Sequence, residues 1–137
     1  MSKTQRIVDS ATSLVLLPTE AFQRFMHATV AVLDQATGLP RLTAAQFNAL
    51  QPLFITIEGT TLELTANACI FPRSMNSQIG GKANEIYLAF GDQGTSSGQG
   101  LDFILGLAFL ERFYTVYDTT NKRIGFATTA FTNATSN

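Results

Sequence analysis

The stretch Ile7-Val8-Asp9-Ser10-Ala11-Thr12-Ser13-Leu14-Val15-Leu16-Leu17 decides how this chain is read. Two short apolar runs flank a stretch of small and polar residues, the pattern of two strands joined by a loop. An aspartate just past a strand, followed by small hydroxylated residues, is held in place by neighbouring N–H groups. Standing alone, such a residue is an ordinary turn aspartate. Its company late in the chain gives it weight. Ile104-Leu105-Gly106 is an apolar pair ending in glycine, where a backbone can pass close beside the aspartate loop. Phe109-Leu110-Glu111-Arg112-Phe113-Tyr114-Thr115-Val116-Tyr117-Asp118 follows, and then Asn121-Lys122-Arg123-Ile124-Gly125-Phe126-Ala127.

Outward from the loop, Pro18 opens a helix where its missing N–H costs nothing, and Glu20 opposes the dipole in the first turn. Phe22, Phe25, Met26, Thr29, Val30 and Leu33 share one helical face, and Gly38 and Pro40 end the segment. Residues 43–50 form a second short helix, with Thr43 and Gln46 as a capping box and Pro52 as the breaker. Strands at 53–57 and 62–64 flank Glu58-Gly59-Thr60-Thr61, a hairpin signal. Thr65 caps a short turn before Pro72. Residues 85–90 make the next strand, and 91–100 a glycine- and serine-rich surface loop. A helix over 107–113 leads into a second hairpin, with strands at 114–117 and 123–127. The fold class is mainly β with a few short helices, without a repeat or an internal boundary.

Composition narrows the function classes. A length of 137 residues fits one domain. Charged residues make up 14%, well below the usual quarter or so, while eleven phenylalanines and long aliphatic runs exclude disorder. A net charge of −1 leaves no basic face for phosphates, so no nucleic-acid partner is expected. One cysteine cannot form an internal bridge, and with a single histidine it cannot build a zinc site, so neither metal nor cofactor is expected. No run reaches the roughly eighteen apolar residues of a membrane span. The polar start, residues 1–6, lacks the features of a secretory signal.

Cys69, in Ala68-Cys69-Ile70-Phe71, reads as a buried inert thiol, and His27 beside Met26 as a surface histidine. The 91–100 run has neither the Gly-Lys-Ser/Thr ending of a phosphate loop nor the third glycine of the dinucleotide pattern. The aromatic series Phe109, Phe113, Tyr114, Tyr117 reads as core. Asn133-Ala134-Thr135 is a glycosylation sequon, relevant if the chain passes through the secretory route.

In their order and spacing these segments resemble the C-terminal half of a pepsin-like aspartic peptidase, above all the polyporopepsin type of wood-decay fungi. The similarity runs from about Ile7 to the C-terminus. The aspartate loop resembles the family's second active-site loop, Asp-Thr/Ser-Gly-Thr. Residues 104–127 resemble its C-terminal signature, and 53–71 its central hairpin and short helix. The resemblance implies a single pepsin-like lobe lacking its first strands. It divides the chain into a leader (1–6), a partial C-terminal lobe (7–128) and a flexible tail (129–137).

The family's chemistry uses two aspartates, one from each lobe, that share a proton and a water. By that resemblance Asp9 is one member of the dyad. Thr12 would tie the two aspartate loops together, Ser10 would hydrogen-bond near the carboxylate, and Gly106 would line the crossing. Ala11 stands where the family has glycine, and a left-handed backbone there would cost about 1 kcal/mol or more. The other aspartate and the flap over the substrate belong to the lobe this chain lacks.

The resulting expectation is a fungal protein derived from a peptidase lobe, without activity alone. It would work as a homodimer through exposed strand edges and bind a peptide, a glycan or a host receptor. Its alternatives are an acid endopeptidase formed by homodimerisation around Asp9, and a fragment of a complete two-lobed peptidase. By the same resemblance the protein would be secreted.

Overall fold

The computed structural model describes residues 5–136. In chain order the elements are β1 (Gln5–Val8), β2 (Val15–Leu17), α1 (Thr19–Thr29), β3 (Val32–Leu33), β4 (Pro40–Leu42), α2 (Ala44–Ala49), β5 (Leu53–Ile57) and β6 (Thr60–Leu64). Two 3-10 segments, Ala66–Cys69 and Arg73–Ile79, precede β7 (Ile86–Tyr87), β8 (Phe90–Asp92), β9 (Leu101–Leu105), α3 (Leu107–Leu110), β10 (Phe113–Asp118) and β11 (Arg123–Thr128). The expected leader lies outside the described residues except for Gln5 and Arg6, which open β1.

The sheet that matters most has the order β1-β9-β2-β8. Strands β1 and β2 are consecutive in sequence yet do not pair. β9 lies between them, parallel to β1 and antiparallel to β2, and β8 runs parallel to β2. The loop from β1 to β2 must therefore step across β9. A second sheet has the order β3-β4-β7, and β5–β6 and β10–β11 are antiparallel hairpins. The core gathers Val15, Leu64, Ile70, Leu88, Phe90, Leu105 and Phe109, drawn from both ends of the chain.

Several local expectations hold. The α2 box closes in both directions, Gln46 N–H to Thr43 Oγ1 at 3.2 Å and Thr43 N–H to Gln46 Oε1 at 2.7 Å. The β5–β6 turn is tighter than the four-residue connector expected. Glu58 and Gly59 both have positive φ (46° and 86°), the geometry that matches strand twist in two-residue hairpins.

Other expectations are corrected. Helix α1 ends at Thr29, because Val30 takes a left-handed backbone (φ 55°) and β3 begins two residues later. The Thr29 hydroxyl turns back onto the Phe25 carbonyl at 2.8 Å, and β-branched Val32 favours the extended chain that follows. Val30 and Leu33 are therefore exposed rather than part of the helical face. Thr65 precedes its helical turn without capping it through the side chain. The strand expected over 85–90 serves two sheets. It pairs with β4 through Ile86 and Tyr87, bridges Leu88 to Ile70, and resumes as β8 beside β2.

Helix α3 stops at Leu110, and Phe113 already belongs to β10. Phe109 packs on Phe113 and Phe126 at centroid distances of 4.8 and 5.3 Å. Tyr114 and Tyr117 are exposed, since among the described residues β10 and β11 pair only with each other and touch the core through Phe113 and Phe126.

Residues 129–134, within the segment expected as a flexible tail, are hydrogen-bonded to one another and to the body of the fold. Buried Arg112 donates from Nη1 to the carbonyls of Ala134 (2.9 Å) and Phe131 (3.4 Å), and from Nη2 to that of Asn67 (3.2 Å). The Thr132 hydroxyl donates to the Arg112 carbonyl at 2.6 Å. A buried guanidinium requires such acceptors, and the tail supplies them.

Candidate active site

Asp9 follows β1 directly, and its N–H donates to the Leu105 carbonyl at 3.1 Å, continuing the β1–β9 ladder. Both carboxylate oxygens are engaged within the loop. Ala11 N–H donates to Oδ1 at 2.9 Å, and the Thr12 hydroxyl donates to Oδ2 at 2.6 Å. These donors, the Thr12 hydroxyl first and the Ala11 N–H second, hold the carboxyl below its ordinary value of 3.8 against a smaller opposing effect of burial. Asp9 is thus an ionised carboxylate at neutral pH, fixed in orientation and partly exposed.

The loop is pinned from the far end of the chain. Leu107 N–H donates to the Thr12 carbonyl at 2.7 Å, and Ala108 N–H to that of Ser13 at 3.0 Å. Gly106 makes this crossing possible. A Cβ there would lie 2.3 Å from both the Thr12 and Leu14 carbonyl oxygens, backbone atoms that cannot swing aside. The glycine is required for space rather than for conformation, since its φ is −86°.

The structure brings Asp9, Thr12, Ala11 and Gly106 together. The hydroxyl that bonds the carboxylate is that of Thr12, while Ser10 is exposed beside it. The reason is reach: three residues beyond Asp9, the returning loop brings the Thr12 side chain alongside the carboxylate. Ala11 carries no left-handed strain. Among the described residues, the non-glycine positions with positive φ are Val30, Glu58 and Lys122.

Cys69 is buried, and burial pushes its thiol up to about 12, so it is protonated and unreactive at ordinary pH. His27 is exposed on α1. Among the described residues there is no group of three or more His, Cys, Asp or Glu able to hold a metal, and no helix is long and apolar enough to cross a membrane.

One surface feature outside the Asp9 loop has only a weak signal in the sequence. An apolar groove lined by Leu17, Phe25, Ile55 and Phe103 opens between α1, β5 and β9, with Phe54 on its rim at 60% exposure. The signal available was the alternation along β5, which turns Leu53, Ile55 and Ile57 inward and Phe54 outward.

Residues 1–129 match the eukaryotic aspartyl protease family. Polyporopepsin of Irpex lacteus is 61% identical over 137 residues, covering all of this chain and 40% of that protein. Human (Homo sapiens) gastricsin is 37% identical over 134 residues, covering 92% of this chain and 30% of that protein. The crystal structure of the aspartic proteinase from Irpex lacteus superposes with a TM-score of 0.95 at 60% identity, over all of this chain and 40% of the other. The chain spans 40% or less of the length of these relatives.

Proposed function

The chain belongs to the eukaryotic aspartyl protease family, and on that premise we propose that it carries one half of an acid peptidase site, has no peptidase activity by itself, and acts as a homodimer that binds rather than cleaves. Asp9 is the catalytic carboxylate of that half. Thr12 positions it, Ser10 offers a hydroxyl toward a partnering loop, and Ala11 and Gly106 shape the backbone around it.

The observation that supports this reading is the state of Asp9. Both its oxygens are satisfied by Ala11 and Thr12 within its own loop, and its carboxyl is held below the ordinary value. A proton shared by two aspartates needs a second carboxylate in contact with the first, whereas the donors that hold Asp9 come from its own loop. A second aspartate loop would have to approach before peptide cleavage could occur.

The association we propose is a homodimer through the outer edges of β1 and β8, whose backbone groups end the sheet. Its ligand class is a peptide, in keeping with the family, and its route is secretion. An active dimer around Asp9 is the second reading. It is favoured by one observation: Ala11 holds an ordinary backbone, so the strain that would have counted against two such loops meeting is absent.

Light scattering combined with a peptide-cleavage assay at acid pH, run on wild type and Asp9→Asn, tests both readings. A dimer that cleaves no faster than Asp9→Asn is the expected result, and a dimer with Asp9-dependent cleavage establishes the second reading. A monomer overturns the dimer, and Asp9-dependent cleavage by a monomer overturns the half-site itself.

A further inference from the structure

We infer that Asn133 is an N-glycan acceptor and that the first sugar attached to it packs on the ring of Phe131. The inference rests on the secreted route proposed above. Asn133-Ala134-Thr135 is the single Asn-x-Ser/Thr sequon in the sequence, and Phe131 stands two residues before the asparagine.

The structure adds what the motif lacks. Ala134 N–H donates to the Phe131 carbonyl at 3.1 Å, so residues 131–134 form one turn with Phe131 at its first position and Asn133 at its third. Asn133 and Thr135 are exposed, and Phe131 is 68% exposed, the highest value among the large apolar residues left on the surface.

The turn is held on both sides of the asparagine. Thr132 is buried and donates to the Arg112 carbonyl, while the Arg112 guanidinium holds the carbonyls of Phe131 and Ala134. The backbone therefore presents Asn133 outward at a fixed angle instead of in a mobile end. A glycan there displaces no core side chain, and the apolar face of its first ring can cover an aromatic that otherwise faces water.

The chemistry is a group transfer. Asn133 Nδ2 bonds to the anomeric carbon of the N-acetylglucosamine that begins a lipid-diphosphate-linked oligosaccharide. The bond from that carbon to the diphosphate oxygen breaks, the lipid diphosphate leaves with the electron pair, and the amide nitrogen releases one proton. The hydroxyl at Thr135 is the part of the sequon that the transferase requires.

The test places the full chain behind a cleavable secretory leader and translates it in the presence of microsomes, so that delivery to the lumen does not depend on its native route. Protease protection reports delivery, and removal of the whole N-glycan, first sugar included, by a peptide-N-glycan amidase reports occupancy. We expect the protected wild type to carry one removable glycan, and Asn133→Gln and Thr135→Ala to carry none. A protected wild type without a glycan overturns the inference and leaves the secretion reading standing. Failure of the native host to export the chain would overturn secretion and leave the acceptor standing. For the ring contact, glycosylated wild type should melt above its deglycosylated form, and Phe131→Ala should lose that difference while keeping the glycan. An unchanged difference in Phe131→Ala overturns the contact.

Discussion

Two loops in this molecule carry the same local chemistry. Asp9-Ser10-Ala11-Thr12 and Asp34-Gln35-Ala36-Thr37 share the pattern Asp-x-Ala-Thr, and in both the alanine N–H donates to one carboxylate oxygen and the threonine hydroxyl to the other. The bonds are 2.9 and 2.6 Å at Asp9 but 3.4 and 3.1 Å at Asp34. The difference lies in what surrounds them. Asp34 closes the β3–β4 hairpin, and its own backbone bonds to Gly38 and Leu39 nearby. Asp9 caps a strand next to β9, and its loop is clamped by Leu107 and Ala108 across Gly106. Turn chemistry is enough to orient a carboxylate. Contacts from the far end of the chain tighten the loop and make it a candidate site.

That comparison is broken most severely at the two loops' glycines. Gly106→Ala drives a methyl into two backbone carbonyls and should cost about 3 kcal/mol, read from urea or thermal unfolding. Gly38→Ala meets no atom within 4 Å and should cost only about 1 kcal/mol, the penalty for its φ of 71°. Equal losses would show that the crossing does not govern the Asp9 loop.

Acid titration comes next. The Thr12 hydroxyl lowers Asp9, and the Asn121 side chain lowers Asp118. The Glu20 and Ser97 N–H groups lower Glu20. Burial pushes Asp34 up, but Ala36 N–H, the Thr37 and Tyr87 hydroxyls and the Arg41 charge more than offset it. Each group is a stronger acid folded than unfolded, so protonation favours the unfolded chain. Their contribution is complete above the ordinary values of 3.8 for Asp and 4.5 for Glu and declines as pH falls through the folded values. Stability should be level from pH 5 to neutrality and drop below about 4.5, with a shallower drop in Asp9→Asn.

A smaller effect separates the two threonines. Thr12→Val should raise the Asp9 pKa more than Thr37→Val raises that of Asp34, because the shorter bond is lost, and carboxyl NMR reads both. The smallest effect is a control away from either loop. Cys69 should resist alkylation in the native protein and react once the chain is unfolded, and rapid native labelling would mean that the packing around Leu64 and Ile70 is loose.

Much of this was legible in the residues. The apolar runs around Asp9 and the Thr43–Gln46 box each combine a local propensity with local chemistry and formed as expected, and the hairpin after β5 formed with a turn shortened from 58–61 to Glu58-Gly59. The misreadings share a cause. Val30 ends α1 against the apolar spacing, because its left-handed backbone turns the chain out of the helix into β3, which periodicity alone does not signal. Residues 86–92 were read as one strand and a loop, because nothing local reveals that a chain changes sheets. Tyr114 and Tyr117 were read as core because hydrophobicity does not say which strand lacks a covering layer. At the site, the resemblance singled out Asp9, but the bond from Thr12 to its carboxylate needed coordinates, because Ser10 and Thr12 both carry hydroxyls and only geometry says which one reaches it.

The most direct test of the half-site is the pH titration of the Asp9 carboxyl carbon by NMR in the assembled protein, assigned by its loss in Asp9→Asn. The account predicts a single step below 3.8, the signature of an unshared carboxylate held by Thr12 and Ala11. A step raised above 3.8, or two coupled steps, would show a second carboxylate already sharing its proton and would contradict it.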